Sequence, residues 1–224
     1  MSTGIIELVI LAGIALFLLF RLRSVLGTKT GFEEQHNHRT IRADTVRPAP
    51  TPAPVTVDEP ASDDDALAVA DGDAAIADAL IGMARAEPGF SPSGFVSGAK
   101  GAYEMILMAF ENADTKTLET FLAPDVYDGF AAAIAERQRL GYTVEARFIG
   151  VREARVVGAR FDPESNEAEI AIRFTGEMIT TVRDSEHRVV EGNPNEIRRE
   201  TDVWTFARRM GSPDPNWMLV ATGE

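Results

Sequence analysis

Two successive periodicities predict an α+β chain. Apolar residues recur at helical spacing as far as Gly141, and period-two alternation follows from there to the C-terminal end. Ahead of both lies an apolar run, Ile5–Phe20, and then a stretch rich in Pro, Ala, Asp and Thr. The predicted organisation is a transmembrane anchor over residues 1–27, a disordered Pro/Asp-rich linker over 28–73, and one domain over 74–224. In that domain the helices pack on one face of an antiparallel sheet.

The anchor comes first. Leu8–Phe20 carries no charge, and Glu7 is the only charged residue between Thr3 and Phe20. As a helix this stretch would span about 27 Å, close to the thickness of a bilayer's hydrocarbon core. Ile5, Leu8, Phe17 and Phe20 would face lipid, while Arg21 and Arg23 reach the headgroups. Apart from the terminal amine no positive charge precedes the run, and no small-x-small site follows Phe20, which argues against a cleaved signal peptide. Arg21, Arg23, Lys29, Arg39, Arg42 and Arg47 follow the span, so the positive-inside rule places the C-terminal part in the cytoplasm.

The linker follows from composition. Pro48–Pro54 alternates proline with Ala or Thr and favours extended polyproline II, and Asp63-Asp64-Asp65 adds charge with little apolar area to bury. Over Gln35–Asp73 a random coil would reach roughly 35 Å.

Helices are expected next. Ile76, Leu80 and Met83 give Ala74–Ala86 one apolar face, and the segment is expected to pack on the domain rather than insert into lipid. Phe95, Ala99, Tyr103, Ile106 and Phe110 form a stripe along Ser93–Asn112. Asp114 caps a short helix with Leu118, Phe121 and Leu122, and Pro124 opens a third that ends at Gly141. Strands then read as Val144–Phe148, Val151–Phe161, Ala168–Val182 with a bulge or bend at Gly176, Ile197–Arg209 and Trp217–Thr222.

Composition limits the function. A net charge of -13 argues against nucleic acid as a partner, and the absence of cysteine removes thiolate metal sites, disulfides and thiol catalysis. His36 and His38 lie two apart in the linker, too few for a closed metal site, and His187 falls in a turn. Asp202 is the one strand acid opening an apolar face, beside Trp204; it is expected to end that face or to pair with a neighbouring Arg. No catalytic residue, metal or cofactor is expected. Trp204, Phe206 and Trp217 read first as core. Together with Tyr103, Phe110 and Phe174 they are also the candidate lining of a pocket for an acyl chain or hydrophobic peptide.

Several segments carry a family resemblance. Phe90–Ile106 with Phe110–Asp114, Ala135–Gly141, Asp202–Arg208 and Asp214–Thr222 resemble the opening helix, third helix and closing strands of the Tim44-like domain. The apolar run with Arg21–Gly27 is similar to the bacterial TimA-type branch. The resemblance implies a curved sheet related to the nuclear transport factor two cone. In the mitochondrial member, an adaptor of the presequence translocase, such a domain docks on inner membrane, and a separate N-terminal region recruits a DnaK-type chaperone. This chain has an apolar run and a Pro/Asp-rich stretch in place of that region, so chaperone recruitment does not carry over. The expected protein is a single-pass adaptor of the bacterial inner membrane with a cytoplasmic domain, assisting membrane-protein assembly or transport. Its partners would be the inner membrane, proteins and phospholipid. The alternative is a lipid- or small-ligand-binding cone domain, and behind it a cone-fold enzyme.

Overall fold

The computed structural model describes residues 63–223. The anchor residues Ile5, Leu8, Phe17, Phe20, Arg21 and Arg23, the two linker histidines and the linker as far as residue 62 lie outside it. No helix among the described residues is long and apolar enough to cross a membrane.

Five helices precede five strands: α1 Asp63–Ala70, α2 Ala74–Ala86, α3 Pro92–Glu111, α4 Thr115–Phe121 and α5 Pro124–Arg139; then β1 Thr143–Asp162, β2 Glu167–Arg183, β3 Val189–Gly192, β4 Arg198–Arg209 and β5 Met218–Gly223. Helix α1 corrects the predicted linker, whose last part is ordered. Its three aspartates stand in the first turn, where the helix dipole favours negative charge. Asp65 also accepts bonds from the Ser91 hydroxyl and the Ser93 amide, at 2.9 and 3.2 Å, at the start of α3. Ala66 and Ala70 are buried, so small residues supply the contact face that large apolar residues supply in the other helices.

Caps fix the other helices. Asp73 accepts from the amides of Ala75 and Ile76 and starts α2, whose Ile76, Ala77, Leu80 and Met83 are all buried in the core. The segment therefore spends its apolar face on the domain. Ser91 caps α3 through the Gly94 amide, and Asp114 caps α4 through Thr117. Between α4 and α5 the Ala123 amide donates to the Leu219 carbonyl at 2.9 Å, tying the helical layer to β5.

The sheet is antiparallel, in the order β1-β2-β4-β5, with β3 paired to β2 beyond the start of β4. On β2 the even positions Ala168, Ile170, Ile172, Phe174 and Met178 face the helices and are buried, and Trp204 and Phe206 continue that face on β4. The two first strands expected from sequence are one strand, β1. It pairs with β2 along its whole length and is interrupted by register shifts around Ile149, Arg152 and Val157. Such bulges twist and bend a strand, and they scramble its alternation. The bulge expected at Gly176 is on β1 instead; β2 and β4 run in unbroken register past that glycine. Gly176 serves a different purpose, because a Cβ there would sit 2.9 Å from the Tyr103 ring and hydroxyl.

Candidate functional site

The six aromatic residues proposed as a pocket lie along the sheet–helix interface, and the four buried ones fill it. Tyr103 of α3 stacks on Phe174 at 4.5 Å between ring centroids and touches Trp204 at 4.7 Å; Trp204 meets Phe206 at 6.4 Å. All four are buried, Trp204 retaining 3% of its surface. These rings are packed core. Trp217 is half-buried at one end, 4.6 Å from Phe95, with the Arg208 guanidinium 5.4 Å from its ring. Phe110 lies at the other end against Phe130, with Arg137 over its ring. Two hollows of about 350 and 340 Å³ lie elsewhere, one around Asn166 and Met210–Pro213, the other between α1, α3 and β1 beside Val69, Val96 and Ala154.

Polar groups gather where the rings end. The Tyr103 hydroxyl donates to Asp202 at 2.7 Å. Asp202 thus pairs with a tyrosine from the helical layer, not with an Arg of a neighbouring strand. Burial first, and then Asp202 and Glu200, push the Tyr103 phenol well above its ordinary range. Close by, Arg137 donates to the Glu111 carboxylate at 3.1 Å and to the Phe110 and Glu111 carbonyls. Burial raises the Glu111 carboxyl; Arg137 opposes that, while Glu200 and Glu191 add to it. This end of the fold is therefore acidic, with Glu111, Glu191, Glu200 and Asp202 around Arg137 and Arg198.

The hairpin beyond it is exposed. His187 stands in the turn, and Val189, Val190 and Ile197 are exposed aliphatics on β3 and the loop before β4. Sequence reading named Ile197 only as the start of a strand and left Val189 and Val190 unmentioned, although three aliphatics beside Gly192 and Asn193 in an otherwise charged stretch were a visible signal. On the uncovered face of the sheet, Glu177 is held between Arg152 at 2.7 Å and Arg199 at 2.9 Å. Those bonds, Arg199 first, keep its carboxyl below the usual range. No group of three or more metal-ligating side chains occurs among the described residues.

No curated protein sequence matches the chain. Among solved structures, the crystal structure of the intermembrane space region of chloroplast protein ARC6 aligns at 13% identity and a TM-score of 0.38. The alignment covers 58% of this chain and 92% of that one. The profile of the Tim44-like domain matches residues 76–224, from α2 to the end of the sheet, and on that match the chain belongs to the Tim44-like domain family.

Proposed function

We propose that this protein is a membrane-associated adaptor of the TimA type, whose Tim44-like domain binds other proteins through its outer surface in membrane-protein assembly or transport. The observation that supports this reading is the filling of the sheet–helix interface by Tyr103, Phe174, Trp204 and Phe206. A domain whose concave side is solid with rings has its exterior left for recognition. The reading assigns the protein no reaction. It puts Ile5–Phe20 in a bacterial inner membrane and the domain in the cytoplasm, on the strength of the basic residues that follow the apolar run.

Affinity purification of the full chain from gently solubilised membranes tests the adaptor reading, and a reproducible protein partner is the expected result. Protease added to intact spheroplasts should leave the domain uncut. Native mass spectrometry that finds a stoichiometric lipid, with no protein partner recovered, would replace the adaptor with a lipid carrier.

A further inference from the structure

Helices cover one face of the sheet, and cations collect on the other. Directly opposite residues of antiparallel strands share a face. The register therefore sets Arg155 beside Arg173, Glu153 beside Thr175 and Thr201, and Glu177 beside Arg199 on the uncovered side. Arg147 lies further along β1 on that side, opposite Ile179. Arg152, in a bulge of β1, reaches the same side to meet Glu177. Five guanidiniums thus share this stretch with two carboxylates, Glu153 and Glu177, on a chain whose net charge is -13.

Part of that positive charge is left over within the fold. Glu177 alone serves Arg152 at 2.7 Å and Arg199 at 2.9 Å, and each arginine keeps 65% of its side-chain surface exposed. Arg155 is drawn aside by Asp71 at 2.8 Å and Glu153 at 3.3 Å. The exposed side chains of Arg147 and Arg173 make no hydrogen bond or ion pair among the described residues. Arg173 also faces Arg155 directly across the strands, where like charges destabilise a sheet. Stability does not account for a bare arginine there. Between Arg173 and Arg199 stand the Thr175 and Thr201 hydroxyls, 3.4 Å apart, so donors continue along the face.

Carboxylates match guanidiniums in charge and in the spacing of their two oxygens. Arg173 and Arg199 stand four residues apart along the paired strands, about 13 Å, which two acids of one segment can bridge. A flat anionic bilayer would also have to cover the Glu145–Arg183 and Glu169–Arg160 pairs at either end of the face, which offer it no net charge. A segment one helix or strand wide avoids both. The acidic remainder of the chain repels the same segment, so charge selects this face over the others.

We propose that the uncovered sheet face around Arg173, Arg152 and Arg199 receives an acidic segment of a partner protein, lying over the Thr175–Thr201 pair. Its carboxylates take the guanidinium of Arg173 at one end and the solvent-facing sides of Arg152 and Arg199 at the other. Exposed Ile149 and Ile197 precede Gly150 and Arg198, whose partners on β2 are Glu177 and Met178, and they give the second end aliphatic contact. This inference rests on the reading of the domain as a protein-binding module and names the surface and the chemistry of its partner.

The probe is a short labelled peptide of aspartate, alanine and leucine, with a control in which asparagine replaces every aspartate. Added to the full chain in neutral detergent, the probe should raise fluorescence anisotropy, less so as salt is added, and the control should bind about tenfold more weakly. Arg173→Glu should weaken the probe by about tenfold or more. Its urea midpoint should stay at or above that of wild type, because the opposition to Arg155 is gone. Arg209→Glu, the same charge change at the far end of β4, should weaken the probe by less than about threefold. Equal losses for the two variants, a lowered midpoint for Arg173→Glu, equal binding of the asparagine peptide, or no binding at millimolar probe overturns the proposal. Displacement of the probe by short-chain phosphatidylglycerol at equal concentration would give the face to lipid and overturn it as well. Membrane partners captured equally by wild type and Arg173→Glu would remove this face and leave the adaptor reading standing. Failure of both proteins to capture any partner would remove the adaptor reading itself, and the proposal with it.

Discussion

Glu87 and Arg208 give the sharpest test of how the helical layer is held to the sheet. Glu87 caps the C-terminal end of α2, and its Oε2 accepts from the Gly211 amide at 2.7 Å and from the Arg208 guanidinium. The Arg208 side chain is 7% exposed, donates to the Pro215 carbonyl at 2.9 Å, and has no partner for its Nε. Removing one member of such a pair strands a buried charge, at a cost of about 3–5 kcal/mol. Glu87 retains 26% of its side-chain surface, so Glu87→Ala should fall at the lower end, about 3 kcal/mol. Glu87→Gln, which keeps both acceptor contacts and loses the charge, should cost about half as much. Both tryptophans lie in the domain, and Trp217 is beside Arg208, so fluorescence during urea unfolding reports on this region. With a slope of about 2 kcal/mol/M, the midpoint should move by about 1.5 M for Glu87→Ala. Replacing both residues, Glu87→Leu with Arg208→Met, should cost less than Glu87→Ala alone. The pH dependence provides a second check. Burial raises the Glu87 carboxyl, but the Gly211 amide and Arg208 outweigh burial and hold it below 4.5. Its contribution is therefore full above that value and is lost as pH falls through the lower folded-state value. The gap between wild type and Glu87→Gln should close on acidification. A midpoint shift under about 0.5 M for Glu87→Ala, or a gap unchanged in acid, would refute the pairing argument.

Other substitutions probe separate parts of the fold. Gly98 and Gly101 lie on the exposed side of α3, where a Cβ would meet nothing within 4 Å. Each change to Ala should raise stability by about 0.5–1 kcal/mol, and a loss in urea unfolding would mean that the backbone there is engaged. Gly192 has φ +79°, and a Cβ on it would overlap the Thr180 carbonyl oxygen. Gly192→Ala should cost about 2 kcal/mol or more and speed exchange of the β3 amides, with wild-type exchange as the contrary result. Trp204→Ala should cost about 3–5 kcal/mol and half-buried Trp217→Ala distinctly less. Equal losses in a denaturation series would contradict the burial difference.

The caps and stripes of α2 to α5 were legible because they are local. Asp114 and Pro124 stand within a few residues of the helix starts they mark, and Ile76, Leu80 and Met83 share one face at fixed spacing; Asp73 and Ser91 are equally local caps that the sequence reading did not name. Helix α1 was hidden by its chemistry. Its buried side chains are alanines, and its aspartates resemble linker charge until Asp65 is seen bonding to Ser91 across 26 residues. Strand β1 was read as two because its bulges shift the alternation that marks a strand, and only pairing with β2 restores continuity. Trp204 and Phe206 were read first as core from their period-two spacing, and they are buried. Nothing local, however, distinguishes a ring that lines a space from one that fills it. The Tyr103–Asp202 bond and the room that Gly176 leaves for it depend on residues far apart in the chain.

The seating of α1 has a mechanical consequence. Residues 1–62 join the domain at Asp63, so tension arriving along them acts first on an eight-residue helix held by two alanines, the Asp65 bonds and a loose Arg85–Asp63 pair at 3.8 Å. Load applied there peels contacts one after another instead of shearing them together. The first to yield includes the carboxylate that steadies the opening turn of α3. Unseating α1 from that end thus removes the Asp65 brace from the start of the longest helix, while the Asp71–Arg155 pair at 2.8 Å, just past α1, ties the same end to β1.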